Sequence, residues 1–241
     1  MRRVVGGKAK GAKAERAKPK SEKSKRAERD ARRAVIKIAL AMSRTGLSPG
    51  RSGNVSCRWK MGMLITPTGM AYDEIGPRDI VFVDGKGEVP DKKSKKPSSE
   101  WRFHLAAYRA RPDMNAVVHT HSLNATVLAC AGKPIPAFHY MVAVAGGSDI
   151  PLVAYDTFGT KELARHVAKG LFHRNACLMA NHGQIAIGVT LDAALELARE
   201  VEVLATQYCK VLTLGEPIIL PADEMARVLK RFKNYGQRAQ D

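Results

Sequence analysis

The amino-acid sequence predicts an α/β fold built around a single core. Segments with the 3.6-residue apolar period of amphipathic helices alternate along the chain with short apolar runs bounded by Gly, Pro or Asp, which are typical of strands. This alternation favours a sheet covered by helices. The 241 residues are 45% hydrophobic and 26% charged, which is enough for one compact domain with a buried core.

The first predicted helix begins near Arg29, and Gly46 offers a left-handed C-cap at its end. Its apolar face holds Ala31, Ala34, Val35, Ile38 and Met42 at helical spacing. The short apolar runs Met63–Ile65 and Ile80–Val83 predict two strands. Lys92–Lys96 is interpreted as a solvated polar loop that can also attract anions toward the next segment.

The second half of the chain continues the alternation. A helix is expected from about Ser99 to Arg109, followed by a strand at Ala116–His119. Thr160 is a suitable N-cap for a helix that carries Leu163, Val167 and Leu171. The remaining predicted elements are a hairpin of Cys177–Ala180 and Ile185–Val189, and a long helix from about Asp192 to Leu214.

The charge is unevenly distributed and separates a tail from the body. Residues 1–33 hold fourteen Lys or Arg and four acidic residues, which accounts for +10 of the net charge of +17. A segment so poor in apolar residues cannot offset its ordering entropy, so residues 1–30 are predicted to be a disordered basic tail before a domain at 31–241. Nucleic-acid binding is not expected outside residues 1–33, and the tail itself lacks aromatic residues for stacking.

Targeting and redox signals favour the cytoplasm. No apolar run approaches the ~20 residues that a membrane span requires, and the first thirty residues lack the apolar stretch of a secretory signal. The four cysteines are widely spaced, which argues against a disulfide framework.

Four residues suggest a metal site. His119 and His121 lie two apart at the end of a predicted strand, so their imidazoles project from the same face. His182 lies in the predicted hairpin turn, and Glu100 lies at a predicted helix N-terminus, where negative charge is favoured. Three histidines and a glutamate suit catalytic zinc, and also cobalt or manganese. The alternative is that one histidine is a buried core residue and the other is exposed.

Three small, hydroxyl-rich turns suggest an anion site. They are Gly53–Ser56, Thr66–Gly69 and Pro97–Ser99, and the last leads directly into the helix that begins near Glu100. Hydroxyls beside the free amides of a helix start can hold a phosphate. Each turn taken singly has a simpler interpretation, because such residues are common in turns and Ser98 or Ser99 is an ordinary N-cap.

Taken together, these segments resemble the class II aldolase/adducin family over about residues 33–238. The matching segments are Gly53–Arg58, Ile65–Gly69, Pro97–His104, Val118–His121, His139–Met141, Ala145–Gly147, Tyr155–Thr160, Asn181–Gly183 and Phe232–Gly236. The resemblance implies a three-layer α/β/α fold with a central, mostly antiparallel sheet. It also implies a homotetramer with its sites between subunits. Asn181 is a departure, because a second histidine is expected at that position, and the basic tail has no counterpart.

The resemblance also implies a role for each candidate residue. His119, His121 and His182 would bind one zinc ion per subunit, with Glu100 as a ligand that becomes the acid/base when substrate displaces it. The phosphate would be held by Gly53, Asn54, Ser56, Thr68, Gly69, Ser98 and Ser99. Tyr140 from a neighbouring subunit would serve the aldehyde half of the substrate, in a pocket shaped by Phe158, Phe232 and Tyr235.

The implied activity is cleavage of a ketose 1-phosphate, such as L-fuculose 1-phosphate or a related pentulose 1-phosphate, to dihydroxyacetone phosphate and an aldehyde. Two alternatives remain open. One is a pentulose-phosphate epimerase or a dehydratase of the same fold, which Glu100 disfavours because the epimerases place Asp there. The other is a non-catalytic binding module like the adducin head, which the complete set of three histidines and a glutamate disfavours.

Overall fold

A computed structural model describes residues 22–232, and in it seven strands form one sheet in the order β3-β2-β1-β4-β7-β6-β5. The strands are β1 (Asn54–Trp59), β2 (Gly62–Ile65), β3 (Val81–Asp84), β4 (Ala116–Thr120), β5 (Leu152–Val153), β6 (Ala176–Met179) and β7 (Gly183–Gly188). The β5–β6 pair is parallel and the other five pairs are antiparallel.

Within residues 22–232, six α-helices cover the two faces of this sheet. They are α1 (Glu22–Arg44), α2 (Trp101–Ala110), α3 (Leu123–Cys130), α4 (Lys161–Leu171), α5 (Leu191–Leu214) and α6 (Ala222–Phe232), with short 3₁₀ helices at Tyr72–Glu74 and Tyr140–Ala145. One hydrophobic cluster packs α1, α3 and α5 on one face, and a second packs α2 and α4 on the other. The expected three-layer α/β/α architecture with a mostly antiparallel sheet is therefore confirmed.

The first helix is longer than predicted. It begins at Glu22, so residues 22–30, which the sequence placed in the disordered tail, are helical. The helix extends from its buried face at Val35 and Ile38 toward the N-terminus, where the exposed first turn carries the i,i+3 pair Glu22–Lys25 (2.8 Å). Residues 1–21 of the predicted tail lie outside the described residues.

The segment Gly53–Ser56, predicted as a turn, enters a strand. β1 is hydrogen-bonded to β2 on one side and to β4 on the other, with Asn54 opposite His119. The sequence did not predict this strand because its polar residues resemble those of a turn. Asn54 and Ser56 point toward α2, whereas the apolar Val55 and Cys57 point toward the core on the opposite face of the sheet.

The second half of the chain agrees closely with the predicted elements. The Thr160 hydroxyl accepts a hydrogen bond from the Leu163 amide (3.2 Å) at the start of α4, as an N-cap should. Strands β6 and β7 form the expected hairpin, and Asn181 takes the left-handed conformation (φ 54°) in the turn between them. None of the helices within 22–232 has the length and apolar character needed to cross a bilayer.

Candidate active site

The four candidate metal-binding residues come from three elements that meet at one end of the sheet. His119 belongs to β4 and His121 follows that strand directly. His182 lies in the β6–β7 hairpin turn, and Glu100 occupies the N-cap position of α2. Because β4 lies beside both β1 and β7, the hairpin turn and the start of β1 reach the same point as the end of β4.

The three imidazoles converge on one point. Their nearest ligand nitrogens all lie within 4.8 Å of one another, and the Nε2 atoms of His119 and His121 are 3.0 Å apart. Nδ1 of His119 donates to the backbone carbonyl of Gln184 (2.7 Å). This hydrogen bond places a proton on Nδ1 and orients the ring, so that Nε2 of His119 is the nitrogen that faces the cluster and Glu100.

Glu100 lies against the same cluster and is buried. Its carboxylate is 2.9 Å from Nε2 of His182 and 3.2 Å from Nε2 of His119, and it accepts a hydrogen bond from the Asn54 amide (2.8 Å). Burial alone raises the pKa of Glu100, but the charge and hydrogen bonds of His119 and His182 outweigh burial and lower that pKa. The carboxylate is thus ionised in its resting position.

His121 is held in its neutral form. Burial first, and then the neighbouring His119 and His182, lower the pKa of His121 to about 3. A neutral imidazole is the form that binds a metal ion. The side chain is therefore ready to act as a ligand without first losing a proton.

An aromatic ring fixes the arrangement from behind. Phe103 is 1% exposed, and its ring lies edge-on to His119 (5.2 Å between centroids) and to His182 (6.5 Å). Contacts of this kind restrict the rotation of both imidazoles. The cluster therefore has a rigid apolar wall on the α2 side.

The donor set fits a zinc ion. Nitrogen ligands at 2.0–2.1 Å from tetrahedral zinc lie roughly 3.3 Å apart, and the observed separations between Nε2 atoms and the Glu100 oxygens are of this size. Three histidines and one carboxylate can fill the four positions of a tetrahedral zinc ion.

A cavity of about 440 Å³ opens in front of the cluster. Most of the predicted site residues line it, namely Gly53, Asn54, Thr68, Gly69, Ser98, Ser99, Glu100, His121, His182 and Phe158. His119, at 0% exposed, lies immediately behind this surface. One concave surface therefore combines the metal-type residues with the hydroxyl-rich turns.

Backbone hydrogen bonds hold the two hydroxyl-rich turns together. The Thr68 amide donates to the Lys96 carbonyl (3.1 Å) and the Ser98 amide donates to the Thr66 carbonyl (3.0 Å). Gly69 has a φ of 70°, a conformation that suits glycine. The hydroxyls of Thr68 and Ser99 are thereby brought to the same side of the cavity.

Ser56 does not belong to this cavity. Its side chain is 0% exposed and is hydrogen-bonded to His104 (2.7 Å) and Tyr108 (2.9 Å) behind Asn54. The strand alternation that brings Asn54 to the α2 side brings Ser56 to that side one step deeper in the core. The assignment of Ser56 to the phosphate-binding group is therefore wrong.

The comparisons with known proteins agree with the fold and with the motifs. Residues 33–209 match the family described as "Class II Aldolase and Adducin N-terminal domain". The chain belongs to this family. That membership accounts for the segments on which the sequence resemblance was based.

Three similar proteins match this class II aldolase family member over nearly the whole of their own length. The chain is 55% identical over 209 residues to a 5-methylthioribulose-1-phosphate/5-deoxyribulose-1-phosphate aldolase of Rhodospirillum rubrum, covering 87% of this chain and 94% of the relative. It is 50% identical over 210 residues to L-fuculose phosphate aldolase of Escherichia coli K12, covering 87% and 97%. A solved L-fuculose 1-phosphate aldolase superposes with a TM-score of 0.81 at 43% identity, covering 85% and 96%.

The residues predicted for the aldehyde side lie in two places. Phe158, 65% exposed, lines the cavity beside the histidines, whereas Tyr140 and Phe232 line a separate groove of about 760 Å³. Tyr140 is 51% exposed there. Its predicted entry into a neighbouring subunit's site remains a prediction, and Tyr235 lies outside the described residues.

The sequence interpretation missed several residues that line the class II aldolase cavity. They are Arg51, Ser52, Tyr155 and Asp156. Arg51 donates to the Gly69 carbonyl (3.1 Å), which brings a positive charge to the phosphate-type turn. Its position two residues before Gly53 was an available signal, because a cation beside a hydroxyl-rich turn favours anion binding.

Proposed function

We propose that this chain is a zinc-dependent class II aldolase that cleaves a ketose 1-phosphate to dihydroxyacetone phosphate and an aldehyde. The observation that carries the proposal is the convergence of three imidazoles and Glu100 beside two hydroxyl-rich turns in one cavity. The names of the similar proteins support the same reaction class.

The phosphate end of the substrate binds at the turns. Hydroxyls of Thr68, Ser98 and Ser99 donate hydrogen bonds to its oxygens, and Arg51 supplies a positive charge. Because this group lies away from the bond that breaks, its binding energy serves to position the reacting carbons.

Glu100 moves the proton of the reaction. Breaking the carbon–carbon bond of a β-hydroxy ketone requires the β-hydroxyl to give up its proton as it becomes the aldehyde. The electron pair of the broken bond stays on the ketone fragment, which takes up a proton at the carbon beside the ketone. A bound zinc ion would act as a Lewis acid toward the ketone and hydroxyl oxygens. Glu100 is hydrogen-bonded to Asn54 and is the carboxylate that lies against His119 and His182, where the substrate oxygens would bind. General acid/base catalysis of this kind is worth about 10²- to 10⁴-fold.

The substrate is a ketose 1-phosphate whose end away from the phosphate carries a methyl or another weakly polar group. The similar proteins are named for L-fuculose phosphate and for 5-methylthioribulose and 5-deoxyribulose 1-phosphates, which all end in a methyl or methylthio group. The exposed rings of Tyr155 and Phe158 at the cavity mouth suit such an end. We further propose a cytoplasmic homotetramer in which Tyr140 of a neighbouring subunit completes this side.

A retro-aldol assay tests the proposal. The purified chain is incubated with L-fuculose, D-ribulose, 5-deoxyribulose and 5-methylthioribulose 1-phosphates, and released dihydroxyacetone phosphate is measured with and without a chelator. The proposal predicts chelator-sensitive release from at least one ketose. Formation of an isomeric sugar phosphate without cleavage would instead indicate an epimerase, and loss of water a dehydratase. Phosphate-sugar binding without any turnover would indicate a binding module.

A further inference from the structure

A chain of buried polar side chains runs from the core to Glu100. The Tyr108 hydroxyl lies 2.9 Å from the Ser56 hydroxyl, which lies 2.7 Å from Nδ1 of His104. Nε2 of His104 lies 2.5 Å from Oδ1 of Asn54, whose Nδ2 lies 2.8 Å from the Glu100 carboxylate. All five side chains are at most 6% exposed, and Ser56 and His104, in the middle of this hydrogen-bonded series, are fully buried.

The direction of every hydrogen bond in this chain follows from its last member. A carboxylate only accepts, so Asn54 must donate to Glu100 through its amide nitrogen and present its oxygen to His104. His104 must then carry its proton on Nε2. Burial lowers the pKa of His104 to about 3, so the ring is neutral and Nδ1 accepts from the Ser56 hydroxyl. The Ser56 oxygen in turn accepts from Tyr108.

The orientation of the Asn54 amide is therefore held from both ends, by Glu100 and by His104. An amide turned by half a rotation has nearly the same shape, but its oxygen would face the carboxylate of Glu100. The turned orientation would place the Asn54 amide N–H against the Nε2–H of His104, so two donors would face each other. It would also place the Asn54 oxygen against the Glu100 carboxylate, and these two acceptors repel. The His104 ring thus stabilises the one orientation in which the Asn54 amide donates to Glu100.

The hydrogen-bonded route from His104 to the cavity runs through Asn54. His104 lies in α2, stacked on Phe103 with ring centroids 5.0 Å apart, and does not line the cavity. An apolar side chain of similar size would fill this space without needing partners, whereas a buried polar chain stabilises the protein only when each member is satisfied. The one end of the chain that reaches the cavity is Asn54 with Glu100.

We propose that His104 is a positioning residue for the reaction, acting through the Asn54 amide to hold the Glu100 carboxylate between His119 and His182, with Ser56 and Tyr108 fixing the His104 tautomer. The inference rests on the proposed role of Glu100 in proton transfer. It assigns the buried Ser56 a part in setting the active-site geometry, in place of contact with the phosphate.

Kinetics of two variants at one position separate positioning from packing. His104→Leu removes both ring nitrogens, and we expect kcat to fall about 10- to 100-fold while KM for the ketose phosphate stays within about twofold, as when groups that orient metal ligands are lost. His104→Gln keeps an N–H at the Nε2 position and should recover most of kcat. A matched control is Val167→Ala, which leaves a cavity in α4 within the hydrophobic cluster that contains Phe103 and Tyr108, and should lower stability but not kcat.

Equal kcat values for wild type and His104→Leu would overturn the proposal, as would a loss of kcat that His104→Gln fails to reduce. Should His104→Leu not fold, Ser56→Ala replaces it, because that variant removes a single hydroxyl and leaves the ring in place. We expect Ser56→Ala to lower kcat about three- to tenfold at unchanged KM. An unchanged kcat in Ser56→Ala would likewise contradict the role given to the tautomer.

Neutron diffraction from crystals of the metal-loaded protein gives a readout that does not depend on activity. We expect a deuteron on Nε2 of His104 and none on Nδ1, with both deuterons of the Asn54 amide on the side of Glu100. A deuteron on Nδ1, or the Asn54 oxygen facing Glu100, would refute the inference. Failure of the proposed function would appear differently, as near-native turnover in Glu100→Gln with the His104 tautomer intact.

Discussion

Replacing Glu100 by glutamine removes its charge and its proton-transfer capacity but keeps its shape. In the wild type the carboxylate accepts from Asn54 (2.8 Å) and lies 2.9 Å from His182 and 3.2 Å from His119. The glutamine oxygen can still accept from Asn54, and its amide nitrogen then faces Nε2 of His182. A charged hydrogen bond then becomes a neutral one, so we expect a stability loss of only about 1 kcal/mol.

The expected loss of turnover in Glu100→Gln is far larger. Without a group that accepts and returns the proton, kcat should fall about 10²- to 10⁴-fold, equivalent to about 3–5 kcal/mol of transition-state stabilisation. The assay is the release of dihydroxyacetone phosphate at saturating ketose 1-phosphate, with thermal unfolding and metal content measured on the same preparation. The three imidazoles remain, so the variant should retain its zinc.

Glu202→Gln provides a matched control. Glu202 also accepts three hydrogen bonds, from the Asn124 amide and side chain and from the Ala125 amide, but it lies on α5 away from the cavity. Its variant should lose stability and keep kcat. Turnover of Glu100→Gln within about fivefold of the wild type, or an equal loss of turnover in both variants, would refute the role assigned to Glu100.

Four further changes have defined outcomes. His182→Ala should weaken zinc binding more than ~100-fold, measured by equilibrium dialysis, because a direct ligand is lost. Arg51→Ala should raise KM for the ketose phosphate about 10- to 150-fold at constant kcat, since one charge-assisted hydrogen bond is worth about 1.5–3 kcal/mol. Thr160→Ala should cost about 1 kcal/mol through its lost N-cap, lowering Tm by about 2–4 °C in calorimetry. Folding lowers the pKa of His104 from 6.5 to about 3, so below pH 6.5 the unfolded chain takes up a proton that the folded chain does not. The free energy of unfolding should therefore fall by about 2 kcal/mol between pH 7 and pH 5 through this group. Denaturant titration should show that His104→Gln lacks this contribution.

Each of these outcomes can fail separately. Full zinc occupancy in His182→Ala would remove that residue from the metal site, and an unchanged KM in Arg51→Ala would remove the arginine from phosphate binding. Thr160→Ser, which keeps the hydroxyl, is the control for the cap and should melt within a degree or so of the wild type. Identical pH dependences of stability for wild type and His104→Gln would contradict the neutral, buried state of that ring.

Long periodic segments made much of the fold predictable. The apolar face of α5 and the Thr160 cap of α4 are local features, so the sequence alone located both helices. Strand β1 was missed because Asn54 and Ser56 resemble turn residues, and their place in a strand depends on pairing with β4, which is distant in sequence. The two-residue strand β5 exists through its pairing with β6 and leaves no periodic signal of its own.

The candidate site shows the same division between local and long-range information. His119 and His121 could be paired from the two-residue repeat of a strand, and Glu100 from its place before a helix. The depth of a residue below the surface could not be read in this way. Ser56 and Asn54 share a face of β1, yet only Asn54 reaches the cavity, because α2 covers Ser56 with His104 and Tyr108.

The central claim is that His119, His121 and His182 bind one metal ion with Glu100 as the replaceable ligand. X-ray absorption spectroscopy at the metal edge of the purified protein measures this directly. The proposed site predicts one zinc per chain with three imidazole nitrogens and carboxylate oxygen at about 2.0–2.2 Å, and a loss of carboxylate scattering in favour of substrate oxygens when a ketose phosphate analogue is bound. A coordination shell containing sulfur, or one with fewer than two imidazoles, would contradict it.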